Sequence, residues 1–232
     1  MFFKKVFRKK DAYAEKIARI TGVYPNQTSI YQRAFLHRSA LQINQLQAFE
    51  SNERLEFLGD AVLDSIISNY IYHKFPKKDE GYLTRLRSKL VSRTTLNNLG
   101  VKIGLKEVMQ INIKSASKSV YGDALEALIG AIFLDKGYVV AQKFVEDNLL
   151  QNHIDIETVI KTETDFKSRT IEWCQKEKLD FDFLLSEKEE GKGSFYLAKL
   201  MVNGTLRGTG TAFSKKKAEQ IAAEMFYKTI AS

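Results

Sequence analysis

Apolar residues recur at helical spacing from Asp11 to about Val159. The clearest pattern follows Asn52, where a helix that turns every ~3.6 residues would gather apolar side chains into one core-facing stripe. We predict that Ser51 or Asn52 caps this helix and that it ends before Pro76, since proline cannot continue a helix. The residues of the stripe are Leu55, Leu58, Val62 and Ile66.

Another face of the same predicted helix is acidic. Glu53, Glu56 and Asp60 stand at positions i, i+3 and i+7, which share one face. Carboxylates stacked in this way repel each other, and their usual use is to hold a divalent metal. Gly59 costs the helix about 1 kcal/mol relative to alanine, but it would admit a close backbone neighbour beside the acids. The alternative interpretation is a solvent-exposed acidic face with an incidental glycine.

A second apolar helix is predicted from Ser119 to Asp135, and it carries the acids Asp123 and Glu126 three residues apart. Gly130 lies on the adjoining face, where a small residue permits a tight crossing with another helix. Facing helices that project carboxylates inward are one way to build a metal site in an all-helical core. Acids on two helices, each beside small residues, therefore favour metal binding over a solvated surface.

Shorter segments complete the helical part. We predict that Ser29 caps a helix over Ile30–Leu36 and that Gly100 closes a short helix over Leu96–Leu99. Glu80 precedes another helical pattern, where an acid in the first turn would also favour the helix dipole. The interpretation we favour for His37 is a hydrogen-bonded structural histidine, because no second histidine stands at metal-ligand spacing.

The pattern changes after a charged segment at 157–164, where we place a domain boundary. A helix is predicted over Asp165–Lys178, and Asn203-Gly204 is a two-residue hairpin signal between strands. Ser214 is expected to cap a final helix. The chain therefore predicts an all-α domain over 1–160 and a small α-β-β-β-α domain over 165–232. The predicted strands are Phe181–Glu187, Ser194–Val202 and Thr205–Phe213.

Three lysines open the final helix: Lys215, Lys216 and Lys217. Cations are unusual there, because the N-terminal end of a helix dipole is already positive. Together with the free N–H groups of the first turn, they form an anion site suited to phosphate. The alternative is a solvated basic face.

Composition and charge indicate what kind of partner the protein binds and in which cellular compartment it works. The chain has 232 residues and a formal net charge of +8, which favours a polyanionic partner. A single cysteine, Cys174, excludes an internal disulfide and a cysteine metal cluster. We expect a cytoplasmic protein without a membrane partner, because neither a secretory signal nor an apolar run of ~18 residues is present.

The stretch from Asn52 to Leu63 resembles the signature of the ribonuclease III family, the endonucleases that cut double-stranded RNA. Residues 35–40, the turn at 79–81 with the helix that follows, and residues 122–131 also resemble this family, in its order. The segment 165–231 is similar to the family's double-stranded-RNA-binding domain, above all at 208–210 and 214–223. The resemblance covers nearly the whole chain.

The resemblance implies roles for individual residues. Glu56, Asp60, Asp123 and Glu126 match the metal-binding carboxylates, of which Asp60 and Glu126 are also catalytic. Glu53 and Glu80 match secondary acids that handle substrate in catalysis, and Phe57 matches an aromatic that packs into the partner subunit of a homodimer. In the RNA-binding domain, Ser168 and Glu172 match RNA-facing positions. The loop Gly191–Ser194 lacks the family's proline and histidine, and Lys192 would supply a phosphate contact instead.

The resemblance also implies the chemistry. The expected reaction is hydrolysis of double-stranded RNA with Mg²⁺, which Mn²⁺ would be able to replace, leaving 5′-phosphates and short 3′ overhangs; no organic cofactor is expected. Processing of ribosomal and other structured RNA precursors is the implied role. One rival is a non-catalytic RNA-binding protein on the same scaffold, which loss of metal carboxylates would mark, whereas all four are present. The other is a helical metal-carboxylate oxidase, which needs Glu-x-x-His pairs that this chain lacks.

Overall fold

The computed structural model describes residues 11–41, 45–112, 119–161, 165–190 and 193–230. The chain divides into two units, Met1–Lys161 and Thr162–Ser232, and each has its own hydrophobic core. In the described residues, no helix combines the length and the apolar character that crossing a bilayer requires.

The first unit is helical. Short 3₁₀ turns lie at Arg38–Ala40, Ala48–Glu50 and Leu105–Glu107, and a π-helical segment, Phe144–Gln151, continues directly from α7. The helices are α1 (Ala12–Thr21), α2 (Thr28–Ala34), α3 (Glu53–Lys74), α4 (Glu80–Leu90), α5 (Arg93–Lys102), α6 (Val120–Lys136), α7 (Tyr138–Lys143) and α8 (Ile156–Lys161).

The centre of this unit is the packing of α3 against α6. Helix α6 is apolar on nearly all sides and has neighbours around it, so seven of its aliphatic side chains are fully buried. The predicted stripe of α3 does face the core: Leu55, Val62 and Ile66 are buried and Leu58 is partly buried against them. The fully buried residues of α6 are Ala124, Leu125, Ala127, Leu128, Ile129, Ala131 and Ile132.

Helix α3 begins and ends where the sequence predicts. Ser51 rather than Asn52 supplies the side-chain cap, because its Oγ accepts a hydrogen bond from the backbone N–H of Glu53 at 3.4 Å. The helix ends at Lys74, two residues before Pro76.

The predicted bounds of α2 were wrong. The helix starts at Thr28 after Gln27, so Ser29 is inside it, and it stops at Ala34 instead of Leu36. After Ala34 the backbone forms hydrogen bonds outside the helix: the C=O of Phe35 accepts from the N–H of Gln110 at 2.8 Å. The C=O of Leu36 accepts from the N–H of Asn52 at 2.9 Å, which ties this segment to the start of α3.

The predicted role of Gly100 was also wrong. Helix α5 starts after the cap Ser92 and runs through Gly100 to Lys102. A Cβ atom at Gly100 would overlap the backbone carbonyl of Tyr121 in α6 and would lie 2.9 Å from its carbonyl carbon. The glycine therefore permits close approach of two helices, and it does not terminate one.

The second unit consists of α9 (Phe166–Lys176), three antiparallel strands in the order β1-β2-β3, and α10 (Lys215–Ile230). The strands are β1 (Phe181–Glu190), β2 (Gly193–Val202) and β3 (Thr205–Ala212). Helix α10 packs on β2 and β3. The predicted fold class, an all-α domain followed by a small α-β-β-β-α domain, is confirmed.

The two hairpins differ in how well the sequence predicted them. Asn203 and Gly204 adopt φ values of 49° and 70°, as a tight two-residue turn between β2 and β3 requires. The first hairpin is longer than predicted, because β1 extends to Glu190 instead of Glu187 and β2 begins at Gly193, which pairs with Glu190, one residue before the predicted start at Ser194. Gly191 and Lys192 lie outside the described residues, and so does the predicted phosphate contact of Lys192.

Replacing Gly59 with alanine is expected to destabilise the first unit by about 2–3 kcal/mol, because the new methyl group would overlap the carbonyl of Glu126 and push α3 from α6. The free energy of unfolding, from denaturant titration, measures this effect. Gly81→Ala is the matched control: its Cβ would meet the flexible Arg85 guanidinium at 3.3 Å and Asp79 Oδ1 at an ordinary contact distance of 3.6 Å, so a change below ~1 kcal/mol is expected. Equal losses in both variants would contradict the packing argument.

Candidate active site

The crossing of α3 and α6 brings the two acidic stretches together. A Cβ atom at Gly59 would overlap the backbone carbonyl of Glu126 and would lie 2.9 Å from the N–H nitrogen of Gly130. A Cβ atom at Gly130 would in turn overlap the carbonyl of Leu55. The backbones therefore touch at this point, and acids within one turn of the contact on either helix face the same region.

The carboxylates of this region act on each other electrostatically. The pKa of Glu126 is raised to about 8, first by burial and then by the negative charges of Asp60, Glu56 and Asp123. The pKa of Glu56 is also raised, first by burial and then by Asp123 and Glu53. The structure thus brings together the four acids that the sequence singled out as metal ligands.

One cation offsets part of this repulsion. Arg93, the first residue of α5, lowers the pKa of both Glu56 and Glu126. Nothing in the sequence marks Arg93, because it follows the other basic residues Arg85, Arg87 and Lys89 at short intervals. Only the packing of α5 against α6 distinguishes it from its neighbours.

The two secondary acids differ in position. Glu53 belongs to the group: it raises the pKa of Glu56, forms an ion pair with Arg38 (3.0 Å) and accepts a hydrogen bond from Ser51 Oγ (3.3 Å). Glu80 opens α4, and its Oε1 accepts a hydrogen bond from Thr84 Oγ1 at 2.7 Å. The charges that shift the pKa of Glu56 and Glu126 do not include Glu80.

His37 is a buried structural residue, as predicted. Its Nδ1 accepts a hydrogen bond from the backbone N–H of Ser39 at 3.1 Å and caps the 3₁₀ turn at Arg38–Ala40. Burial is the first cause that lowers the pKa of the imidazole.

The donor chemistry of the site fits a hard divalent cation. Carboxylate oxygens are the ligands that Mg²⁺ prefers, and a cation among Glu56, Asp60, Asp123 and Glu126 would relieve the repulsion that raises the pKa of Glu126. Within the described ranges, however, no three Asp, Glu, His or Cys side chains are already grouped so as to hold a metal ion. The structure shows the donors and their mutual repulsion, and it does not show a closed cage.

The second unit exposes the predicted lysine cluster. Lys215, Lys216 and Lys217 are solvent-exposed on the first turn of α10, after Ser214, whose Oγ accepts from the N–H of Lys217 at 3.3 Å. The ammonium group of Lys215 also lies 5.4 Å from the ring centre of Tyr196.

The other two predicted RNA-facing residues lie on α9. Ser168 is half-buried, and its backbone N–H donates to Oδ1 of the cap Asp165 at 3.2 Å. Glu172 is exposed and forms an ion pair with Arg169 at 3.4 Å.

Phe57 lies on α3 between Glu56 and Leu58 and is 81% exposed. A phenyl ring so exposed, one residue from a half-buried acid of the site, contributes nothing to the core of its own unit.

Comparisons with known proteins agree with this architecture. Residues 27–153 match the family described as ribonuclease-III-like, and residues 166–230 match the double-stranded RNA binding motif. The ribonuclease 3 of Bacteroides thetaiotaomicron is 41% identical over 216 residues, which cover 91% of this chain and 70% of that protein. The ribonuclease 3 of Flavobacterium psychrophilum is 36% identical over 234 residues, which cover 97% of this chain and 95% of that protein.

A solved structure of a nuclease domain is similar to the helical first unit of this chain. It is the nuclease domain of ribonuclease III from Campylobacter jejuni, described with structural flexibility in a region involved in dimer formation. It superposes with a TM-score of 0.52 at 32% identity, and the match covers 57% of this chain and 92% of that one. The chain described here belongs to the ribonuclease III family.

Proposed function

We propose that this chain hydrolyses phosphodiester bonds of double-stranded RNA with Mg²⁺, at the site formed by Glu56, Asp60, Asp123 and Glu126. Membership of the ribonuclease III family and the double-stranded RNA binding motif support the substrate and the reaction class. The observation that carries the choice of residues is the mutual repulsion of these four carboxylates where α3 crosses α6.

The carboxylates have a shared task in this proposal. When bound, Mg²⁺ supplies positive charge against the scissile phosphate and activates a water for attack, and Mn²⁺ would be able to supply the same chemistry. The metal would be held by Glu56, Asp60, Asp123 and Glu126. Of these four, Asp60 and Glu126 would also act as catalytic residues. Glu126 has to lose its proton first, because its pKa in the metal-free site is about 8.

The remaining acids act on the substrate in this proposal. Glu53 orients RNA through the pair that it forms with Arg38, and Glu80 contributes from the start of α4. The products are 5′-phosphates with short 3′ overhangs, and the substrates are ribosomal and other structured RNA precursors.

Asp60→Asn and Glu126→Gln are each expected to reduce cleavage of a long RNA duplex by at least ~100-fold, because metal-assisted hydrolysis depends on these carboxylates. Duplex affinity, measured by gel shift in EDTA, should change less than about threefold, because most phosphate contacts come from the second unit. Glu107→Gln, an exposed acid in a 3₁₀ turn of the same unit, is the matched control and should retain activity. Normal cleavage by both active-site variants would refute the assignment.

The second unit binds the duplex in this proposal. Modules of this kind read the shape of A-form RNA through 2′-hydroxyl and phosphate contacts that span about 16 base pairs. Lys215, Lys216 and Lys217 contact phosphates, because their charges add to the positive end of the α10 dipole. Ser168 and Glu172 contribute from α9, and Lys192 from the first hairpin.

Replacing Lys215, Lys216 and Lys217 together with alanine is expected to weaken duplex binding by at least ~10-fold at 0.1 M salt. The slope of log affinity against log salt should fall by roughly 0.7–0.9 for each phosphate that the variant no longer neutralises, because each neutralised phosphate releases counterions. Lys228→Ala is the control, since Lys228 lies at the other end of α10 and is paired with Glu224 at 2.7 Å. If the triple variant keeps the affinity and the salt slope of the wild type, the lysines form only a solvated face.

The active form in this proposal is a homodimer joined through the face of α3 that carries Phe57. The C. jejuni nuclease domain is described as having a region involved in dimer formation. In a two-fold dimer the same patch is used by both subunits, so one exposed aromatic per chain gives two buried rings. The dimer places two sites on one duplex, one for each strand.

Light scattering of the intact protein at micromolar concentration is expected to give about twice 26.5 kDa. Phe57→Ala should shift the mass toward the monomer, because it removes the most exposed large apolar side chain of α3. Tyr72→Ala, also an exposed aromatic position but near the other end of α3, should leave the dimer intact. A wild-type monomer that still cuts both strands would contradict this assembly.

A further inference from the structure

Arg93 is held beside the carboxylates by the packing of α5 on α6. One turn further along α5, Asn97 Oδ1 accepts a hydrogen bond from the backbone N–H of Tyr121 at 3.2 Å. The backbones are close here, since a Cβ atom at Gly122 would lie 3.2 Å from the N–H nitrogen of Asn97. Residues four apart share one face of a helix, so Arg93 lies on the face of α5 that meets the start of α6, where Asp123 stands.

Arg93 also lines an open cavity of about 740 Å³, whose wall includes Glu56 and Asp123. The residue is solvent-exposed, and its guanidinium forms neither a hydrogen bond nor an ion pair within the part of the chain that the structure describes. Arg38 lines the same cavity, but it is paired with Glu53 at 3.0 Å. Arg93 therefore retains five N–H donors for a ligand that enters the cavity.

In the metal-free protein Arg93 has an electrostatic role, because its charge lowers the pKa of both Glu56 and Glu126. That role ends when a divalent cation neutralises the same acids, and the two positive charges then repel each other. The first turn of α5 also disfavours a cation, since this end of the helix dipole is positive. With the metal in place, an anion brought into the cavity is what makes the position of Arg93 favourable.

We propose that Arg93 binds a non-bridging oxygen of the phosphate that is cleaved, and that it is therefore a catalytic residue. The proposal rests on the proposed function, which brings an RNA phosphodiester to a metal held by the four carboxylates. The guanidinium is planar, so two of its N–H groups donate in parallel to phosphate oxygens. An arginine placed in this way stabilises the charge that develops on the phosphoryl group in the transition state.

The first test measures metal binding in the absence of RNA, by calorimetric titration with Mn²⁺. Arg93→Gln should bind the metal about three- to tenfold more tightly than the wild type, because a charge that repels the metal is removed. Arg33→Gln is the matched control and should keep the wild-type affinity. Arg33 is also exposed, but it lies in the last turn of α2 and is not among the charges that shift the pKa of Glu56 or Glu126. An unchanged affinity in Arg93→Gln would place the guanidinium away from the metal and overturn the proposal.

The second test is the single-turnover rate constant for cleavage of a long RNA duplex, with each variant at a Mg²⁺ concentration that saturates it. Arg93→Gln should cut about 10- to 100-fold more slowly than the wild type, the worth of a hydrogen bond between charged groups. Arg93→Lys should lie between the two, because it keeps the charge but lacks the planar fork. If Arg93 only offset the repulsion among the acids, Arg93→Gln would bind the metal more tightly and still cut at the wild-type rate, and that result would refute the proposal.

The third test locates the contact. Duplexes are prepared with a single phosphorothioate at the cleaved linkage, in each of its two configurations, and are cut in Mn²⁺, which accepts sulfur ligands more readily than Mg²⁺ does. One configuration should slow the wild type by about threefold or more, because sulfur is a weak hydrogen-bond acceptor. Arg93→Gln should lose this difference between configurations. Equal responses of the wild type and Arg93→Gln to both configurations would show that the guanidinium does not touch the cleaved phosphate.

The outcomes separate this proposal from the proposed function. If the wild type does not cut an unmodified RNA duplex in Mg²⁺, the proposed function fails. If the wild type cuts, but Arg93→Gln matches its rate constant at saturating Mg²⁺, the proposed function stands and the role of Arg93 is refuted.

Discussion

The contact between α3 and α6 at Gly59 and Gly130 is the constraint on which the rest of the structure depends. No side chain fits on either residue at this point, because each helix places a backbone carbonyl where the other would carry a Cβ atom. The acids of both helices lie within two turns of this contact. This group of acids is thus a direct result of helix packing, held by the most deeply buried helix of the unit.

This packing concentrates like charges that the fold has to tolerate. Burial and repulsion raise the pKa of Glu126 to about 8, so the metal-free protein holds a proton there at neutral pH. For a carboxyl whose pKa is raised on folding, the contribution to stability is complete below its unfolded value and is lost as the pH rises through about 8. A cation that displaces this proton relieves the same repulsion, so metal affinity and metal-free stability respond to pH in opposite directions.

Sequence patterns predicted the helices, the acids and the hairpin at Asn203-Gly204, because each depends on local spacing or local backbone conformation. Sequence patterns did not predict the role of a residue when that role depends on contact with a different helix. The close neighbour predicted at Gly59 is confirmed, whereas Gly100 was predicted to end a helix, and only the position of α6 shows that it too serves close packing. Arg93 resembles an ordinary surface cation until the fold places it beside the acids.

This chain has a net charge of +8, yet it brings several acids together where α3 crosses α6, so the charge that an RNA meets at long range is opposite to the charge that it meets at these acids. The excess of cations, including the lysines of α10, attracts an RNA polyanion. That attraction is screened over about 8 Å at physiological salt, and because both nucleic acids carry phosphates it does not distinguish RNA from DNA. Near the carboxylates, phosphate itself is repelled until a cation is bound.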